Sequence, residues 1–171
     1  LFCPGDDFPE AVIVMRIGVM SDSHGLLHYA QQAVGAMGKI DLLLHAGDHY
    51  RDASKIIVPA SVPVHAVVGN CDARNDGPGD KLLELEGIKL LLTHGHHYLV
   101  HIGLSKLLYK AAEFNAAVVV FGHTHIAGYA WHENLLLFNP GSITSPRDGR
   151  GAAYGILEIR DGQVIPSIFH L

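Results

Sequence analysis

Five apolar runs in this sequence end in short clusters of aspartate, asparagine and histidine. The clusters are Ser21-Asp22-Ser23-His24, Gly47-Asp48, Gly69-Asn70, Thr93-His94-Gly95-His96 and Gly122-His123-Thr124-His125. Asp22 and His24 stand two apart, as do His94 and His96, and His123 and His125. In an extended segment each such pair points the same way. Gly47, Gly69, Gly95 and Gly122 sit beside the polar residues, where a sharp turn and open space are needed. Two carboxylates, one amide oxygen and several imidazoles make a mixed oxygen and nitrogen donor set. Such a set suits Mn, Fe, Zn, Ni or Co better than Ca, and without thiolates it does not describe a structural zinc site. Seven ligands exceed the need of one ion that must also bind water and substrate. Two ions sharing a carboxylate fit better. Each cluster alone is weakly specific, since Asp22 could cap a helix and paired histidines also occur at surfaces. Their joint order at successive strand ends is what carries the reading.

The elements that must position these clusters are legible in outline. Arg16 to Asp22, Asp41 to Asp48 and Val62 to Asn70 read as buried strands. His28 to Ile40 reads as a helix weakened by two glycines, and Ala53 to Ala60 as a short helix stopped by Pro59. Lys81 to Gly95 reads as a hairpin turning at Glu86-Gly87, and Leu99 to Phe114 as an amphipathic helix. A further buried strand runs into His123 and His125. Two more hairpins follow, turning near Glu133-Asn134 and at Asp161-Gly162. Strands alternate with helices first and hairpins dominate later, which predicts an α/β sandwich with mixed sheets inside and helices outside. In such sheets sites assemble at the C-terminal ends of the strands.

The chain has 171 residues, enough for one domain, and 49% of them are hydrophobic. A net charge of −5 argues against broad nucleic-acid binding, which needs a basic face. It leaves room for a phosphorylated small substrate, because bound metal reverses the local sign. No apolar run reaches the ~18 residues of a membrane span. Two cysteines, Cys3 and Cys71, form no disulfide framework, so a reducing cytoplasm is expected. Of the 13 histidines, His28, His65, His101, His132 and His170 stand alone and read as surface residues. Residues 1–14 read as a non-native or over-extended start, with the domain over 15–171, because Met15 directly precedes a basic residue and a strand.

The order "SDSHG", "GD", "GNCD", "THGH", "GHTH" and "NPGS" resembles the calcineurin-like metallophosphoesterases, and the short chain resembles their small bacterial and archaeal phosphodiesterases. The resemblance implies a four-layer αββα sandwich, with two mixed β-sheets flanked by helices. It implies two divalent transition-metal ions, manganese foremost, with nickel, iron, zinc or cobalt as alternatives. Asp22, His24 and His125 would hold the first ion and Asn70, His94 and His123 the second, with Asp48 bridging both. The implied reaction is hydrolysis of a small phosphodiester by a hydroxide bridging the ions, without a nucleophilic Ser or Cys. The alternatives are a phosphomonoesterase and a protein-interaction scaffold like the retromer subunit of this superfamily. Larger members carry His where this chain has Cys71, and that His is thought to protonate the leaving group. His96 is the candidate to compensate by proton transfer or phosphate contact; supporting the metal site is its other reading. Asn70 and Arg147 are the candidate substrate contacts, although an ordinary surface residue is the leading reading of Arg147. Asn139–Ser142 would form a loop near the site, and Asp72 would brace the turn beside Cys71. A homodimer or higher homo-oligomer would use the exposed side of the 99–114 helix or a sheet edge.

Overall fold

The computed structural model describes residues 14–171. Residues 1–13, most of the expected N-terminal extension, lie outside the described residues. The first strand, β1 (Val14–Met20), begins one residue before the expected domain start, and Val14 pairs with Arg160. It is followed by helix α1 (Leu27–Met37) and by strands β2 (Leu42–His45), β3 (Val64–Ala66), β4 (Asp80–Leu85) and β5 (Ile88–Thr93). Helix α2 (Ser105–Glu113) precedes β6 (Val118–Val120), β7 (Ala127–His132), β8 (Leu135–Pro140), β9 (Ala153–Arg160) and β10 (Gln163–His170). One sheet has the order β10-β9-β1-β2-β3 and the other β4-β5-β6-β8-β7. Both are mixed. β1, β2 and β3 run parallel in the first, and β5, β6 and β8 in the second.

The layers follow from period-two alternation within strands that are apolar on both faces. Ile17, Val19, Leu42 and Leu44 of the first sheet meet Leu90, Leu92, Val118, Val120, Leu136 and Phe138 of the second. The intervening residues face outward. Met20 and Leu43 pack under Ala30, Ala33 and Met37 of α1, while Leu91 and Val119 pack under Leu107 and Ala111 of α2. The result is helix, sheet, sheet, helix, as expected. Burying each large side chain in the central layer contributes about 1.5–3 kcal/mol.

Two helices differ from expectation. Ala53 to Ala60 is not helical; a single 3-10 turn at Tyr50–Asp52 leads into further turns. So short a segment does not repay helix nucleation, and Ile56, Ile57, Val58 and Pro59 resist its propagation. The 99–114 helix starts only at Ser105, because Leu99 is left-handed (φ 55°) and Gly103 adds no helical preference. The third strand is also shorter than read, spanning Val64–Ala66. No helix among the described residues is long and apolar enough to cross a membrane.

Candidate metal centre

The C-terminal ends of β1, β2, β3, β5 and β6 each run into one of the polar clusters. Backbone hydrogen bonds lock these turns together. Asp22 N–H donates to Gly47 O (3.0 Å), and Gly122 N–H donates to His94 O (3.2 Å) past the ends of the neighbouring strands β6 and β5. Asp22, His24, Asp48, His123 and His125 all have positive φ, between 46° and 68°. Left-handed backbone at a non-glycine residue costs of order 1–3 kcal/mol and concentrates at functional sites. Here it occurs at five of the seven expected ligands, and four of those, Asp22, His24, Asp48 and His125, bring their donor atoms together. Gly69 and Gly122 make that convergence possible: a Cβ on Gly69 would collide with Asp48, and one on Gly122 with Ser21 and Asp22.

Donor atoms of Asp22, His24, Asp48 and His125 lie within 4.8 Å of one another. His125 Nδ1–H donates to Ser145 O (2.7 Å), which leaves Nε2 as a bare lone pair. That Nε2 faces Asp22 Oδ1 at 3.2 Å and His24 Nε2 at 3.5 Å. Asp22 Oδ1 is buried and receives no hydrogen bond. His94 repeats the arrangement: Nδ1–H donates to Ala46 O (2.8 Å), while Nε2 faces Asn70 Oδ1 (3.1 Å) and Asp48 Oδ1 (3.4 Å). Acceptors thus face acceptors in a partly buried pocket. A cation resolves that repulsion, and backbone carbonyls behind ligating histidines are the usual support. The residues fit divalent metal on their own chemistry.

Charges agree. Burial pushes the Asp22 carboxyl upward, but contacts with His125 and His94 outweigh it and hold the group below its usual range. The same contact with Asp22 raises His125 against the pull of burial. Burial, then its His94 neighbour, lowers His123. The His123 ring lies 5.1 Å from that of His94, and its backbone N–H donates to Asp22 Oδ2 (3.3 Å).

The expected accessory residues are placed as follows. His96 is half-buried with its ring 5.2 Å from that of His94, and its Nδ1 is buried without a partner. Burial and the adjacent His97, His94 and His123 lower it to about 4, so it is neutral near pH 7. Arg147 is exposed on the rim of a cleft of about 530 Å³ that also contains His123. Cys71 is exposed, yet burial of its sulfur and the nearby Asp48 and Asp72 push the thiol up to about 11. It serves the site through its backbone: Cys71 N–H donates to Asp48 Oδ1 (2.9 Å). Asp72 accepts the N–H groups of Tyr50 and Gly69, both at 2.8 Å, and so braces this turn. Asn139 and Ser142 act as struts, with Asn139 Nδ2 on Gly122 O and Ser142 Oγ on Asp22 O.

Sequence reasoning missed the support behind Asp22 and Asp48. His45, fully buried, accepts Gly47 N–H at Nδ1 (3.3 Å) and lies 3.0 Å from Ser23 Oγ through Nε2. Ser23 Oγ–H donates to Asp52 Oδ2 (2.7 Å), which also accepts Gly25 N–H (2.8 Å). The signal was a histidine ending the apolar run Leu42-Leu43-Leu44: a buried polar group must find partners. His101, read as a solitary surface residue, has its ring 5.4 Å from that of His123.

Residues 15–162 match the calcineurin-like phosphoesterase superfamily domain. The chain belongs to that superfamily. The phosphoesterase is 38% identical over 148 residues to the probable metallophosphoesterase YsnB of Bacillus subtilis, covering 86% of each chain. It is 38% identical over 104 residues to the phosphodiesterase YfcE of Escherichia coli K12, covering 56% of this chain and 52% of that protein. Among solved structures, a predicted phosphoesterase from Streptococcus pneumoniae TIGR4 superposes with a TM-score of 0.78 at 32% identity, over 94% of this chain and 91% of that one. Vps29 from Entamoeba histolytica shares the fold at 18% identity (TM-score 0.66, 92% and 99% covered). The protein is a metal-dependent phosphoesterase with an Asp and His cluster suited to metal.

Proposed function

We propose that this phosphoesterase hydrolyses small phosphodiesters at a centre built for two divalent ions, with manganese as the foremost metal. The observation that carries the reading is the division of labour within Asp48. Its Oδ2 faces His24 Nε2 (3.9 Å) and its Oδ1 faces His94 Nε2 (3.4 Å). One carboxylate thus touches both halves of the donor set: Asp22, His24 and His125 on one side, Asn70, His94 and His123 on the other. Bound there, divalent ions supply Lewis-acid charge and a water acidic enough to react near neutral pH.

The chain's own residues do the rest. Asp22 and Asp48 return two negative charges, so a doubly occupied site stays positive and attracts phosphate. The backbone carbonyls of Ala46 and Ser145 fix His94 and His125 in the tautomer that points Nε2 inward. Arg147, on the cleft with His123, and His96, beside His94, are the proposed contacts to phosphate. His96, being neutral, suits a hydrogen bond to phosphate oxygen better than storage of a proton. Ser23 is committed to Asp52, and Cys71 contributes its backbone N–H to Asp48, so neither is assigned as nucleophile. The absence of a histidine at Cys71 favours esters with good leaving groups. The Vps29-like scaffold reading is disfavoured because every donor position is filled. The free Cys71 thiol fits the expected cytoplasmic setting, and a homo-oligomer through the edge strand β7 or the exposed side of α2 remains the assembly we propose.

The test is metal-stripped protein reloaded with single metals and assayed on bis(4-nitrophenyl) phosphate and 4-nitrophenyl phosphate. Manganese-dependent turnover favouring the diester is expected. Preference for the monoester would make the protein a phosphomonoesterase, and no turnover with metal bound would favour the scaffold.

A further inference from the structure

The cleft containing His123 and Arg147 continues beyond the metal-facing residues. Val100, Thr124 and Ile126 line it, and the same three residues line a second depression of about 320 Å³. The floor of the second depression is Phe121 and Leu137, and Leu104 forms one wall. Gly128 and Ala130 form the other. The two depressions are one groove with a shared middle.

The fold explains why this groove stays open. Gly128 pairs with Asn139 and Ala130 with Leu137, so both lie on the outer face of the second sheet, the face α2 covers further inward over Leu91 and Val119. With no bulk at 128 or 130, the outer face of edge strand β7 leaves a trough beside Val100 and Leu104. Ile126, 52% exposed, stands at its mouth directly after His125. Cationic or imidazole groups (Arg147, His101, His123) lie only at the metal end, and the far end is mostly apolar, with Tyr129 and Asn139 also on its lining.

Resting on the phosphodiester reading, we propose that this groove binds the organic arm of the substrate. The substrate class is then phosphate esters carrying a flat apolar or aromatic group next to the phosphate. The phosphate sits at the His123 and Arg147 end and the arm lies over Phe121 and Leu137. The polarity runs the right way for such an amphipathic ligand, and the volume falls at the lower end of the ~300–1,000 Å³ of small-molecule sites. Continuity with the metal centre makes the substrate's own arm the occupant, rather than a second copy of the chain.

The test compares binding of phenylphosphonate and methylphosphonate to manganese-reloaded protein by calorimetry. Phenylphosphonate should bind about tenfold more tightly, or roughly 1.4 kcal/mol. A Cβ at Gly128 meets no atom within 4 Å, so the backbone there accepts a side chain, and Gly128→Leu is chosen to fill the groove. It should cut the preference below about threefold, with Ala130→Leu as a second variant should the first fail to fold. Equal affinities in the wild type, or a preference surviving both variants, overturns the proposal. So does self-association of the wild type that Gly128→Leu abolishes, since the groove would then be an interface. Turnover of bis(4-nitrophenyl) phosphate by the same samples separates the two ideas. Hydrolysis without arm preference removes the groove assignment alone, and arm preference without hydrolysis removes the phosphodiester reading alone.

Discussion

His125 Nε2 and Asp22 Oδ1 face each other across 3.2 Å, with the His125 Nδ1–H donated to Ser145 O and Asp22 Oδ1 buried without a hydrogen bond. In metal-free protein a proton is the only charge available to fill that gap. Contact with Asp22 accordingly raises His125 above 6.5. Burial works to raise Asp22, but His125 and His94 outweigh it and hold Asp22 below 3.8. The His125 contribution to stability is complete below its unfolded value of 6.5 and is lost as pH rises through the raised folded value. The Asp22 contribution is complete above 3.8 and is lost as pH falls through the depressed folded value. The stability difference between metal-free wild type and His125→Asn should therefore peak between pH 3.8 and 6.5. Denaturant titrations across pH would show it, and a difference independent of pH would contradict the pairing. With metal bound the trend reverses, because the ion competes with that proton.

His45 makes the opposite prediction. Burial lowers it to about 4 from 6.5, so metal-free wild type should lose stability as pH falls across that interval. His45→Gln removes the titration and should flatten the loss. It should also weaken metal binding by ~10–100-fold, the usual cost of disturbing the support of a ligand set. A variant with wild-type metal affinity would show that the His45, Ser23 and Asp52 network does not orient the loops carrying Asp22, His24 and Asp48.

Asp48→Asn isolates charge from shape. Asn tolerates left-handed backbone and its amide oxygen can still accept Cys71 N–H. The variant should fold with a melting temperature close to wild type, yet lose at least ~100-fold in turnover, exceeding what outer support residues cost. Elemental analysis should find less metal bound. Full activity in metal-loaded Asp48→Asn would remove Asp48 from the centre.

Cys71 should behave as an inert thiol. Raised to about 11, it should react with iodoacetamide in metal-free protein at pH 8 far more slowly than a free cysteine, despite its exposure. Cys71→Ser should keep metal and most activity. Rapid alkylation, or loss of metal in Cys71→Ser, would reinstate sulfur as ligand or catalyst. Cys71→His should extend turnover to esters with poorer leaving groups.

The candidate site was legible because its residues are few, polar and placed at the ends of apolar runs. Donor atoms of Asp22, His24, Asp48 and His125 lie within 4.8 Å of one another. The layers were legible for the same reason: a run such as Leu42-Leu43-Leu44 is apolar on both faces and needs a partner layer on each. Which strands would be neighbours was not legible, since β1 lies between β2 and β9 across more than a hundred residues of sequence. Spacing predicted extended geometry for Asp22 with His24 and for His123 with His125. The structure instead puts all four in left-handed turns, which the sequence marks only by adjacent glycines. The 53–60 helix is absent because so short a segment, rich in β-branched residues and closed by Pro59, does not repay nucleation. His45 and His101 were invisible as site neighbours because their partners lie on other elements.

The central claim is that one carboxylate, Asp48, joins two metal-binding halves. The most direct measurement is a manganese titration of metal-stripped protein, counting bound ions by native mass spectrometry while following bis(4-nitrophenyl) phosphate hydrolysis. The account predicts activity rising to a plateau as the second ion per chain binds, with Asp48→Asn failing to hold the pair. A plateau at one ion per chain, or two ions bound without turnover, would contradict it.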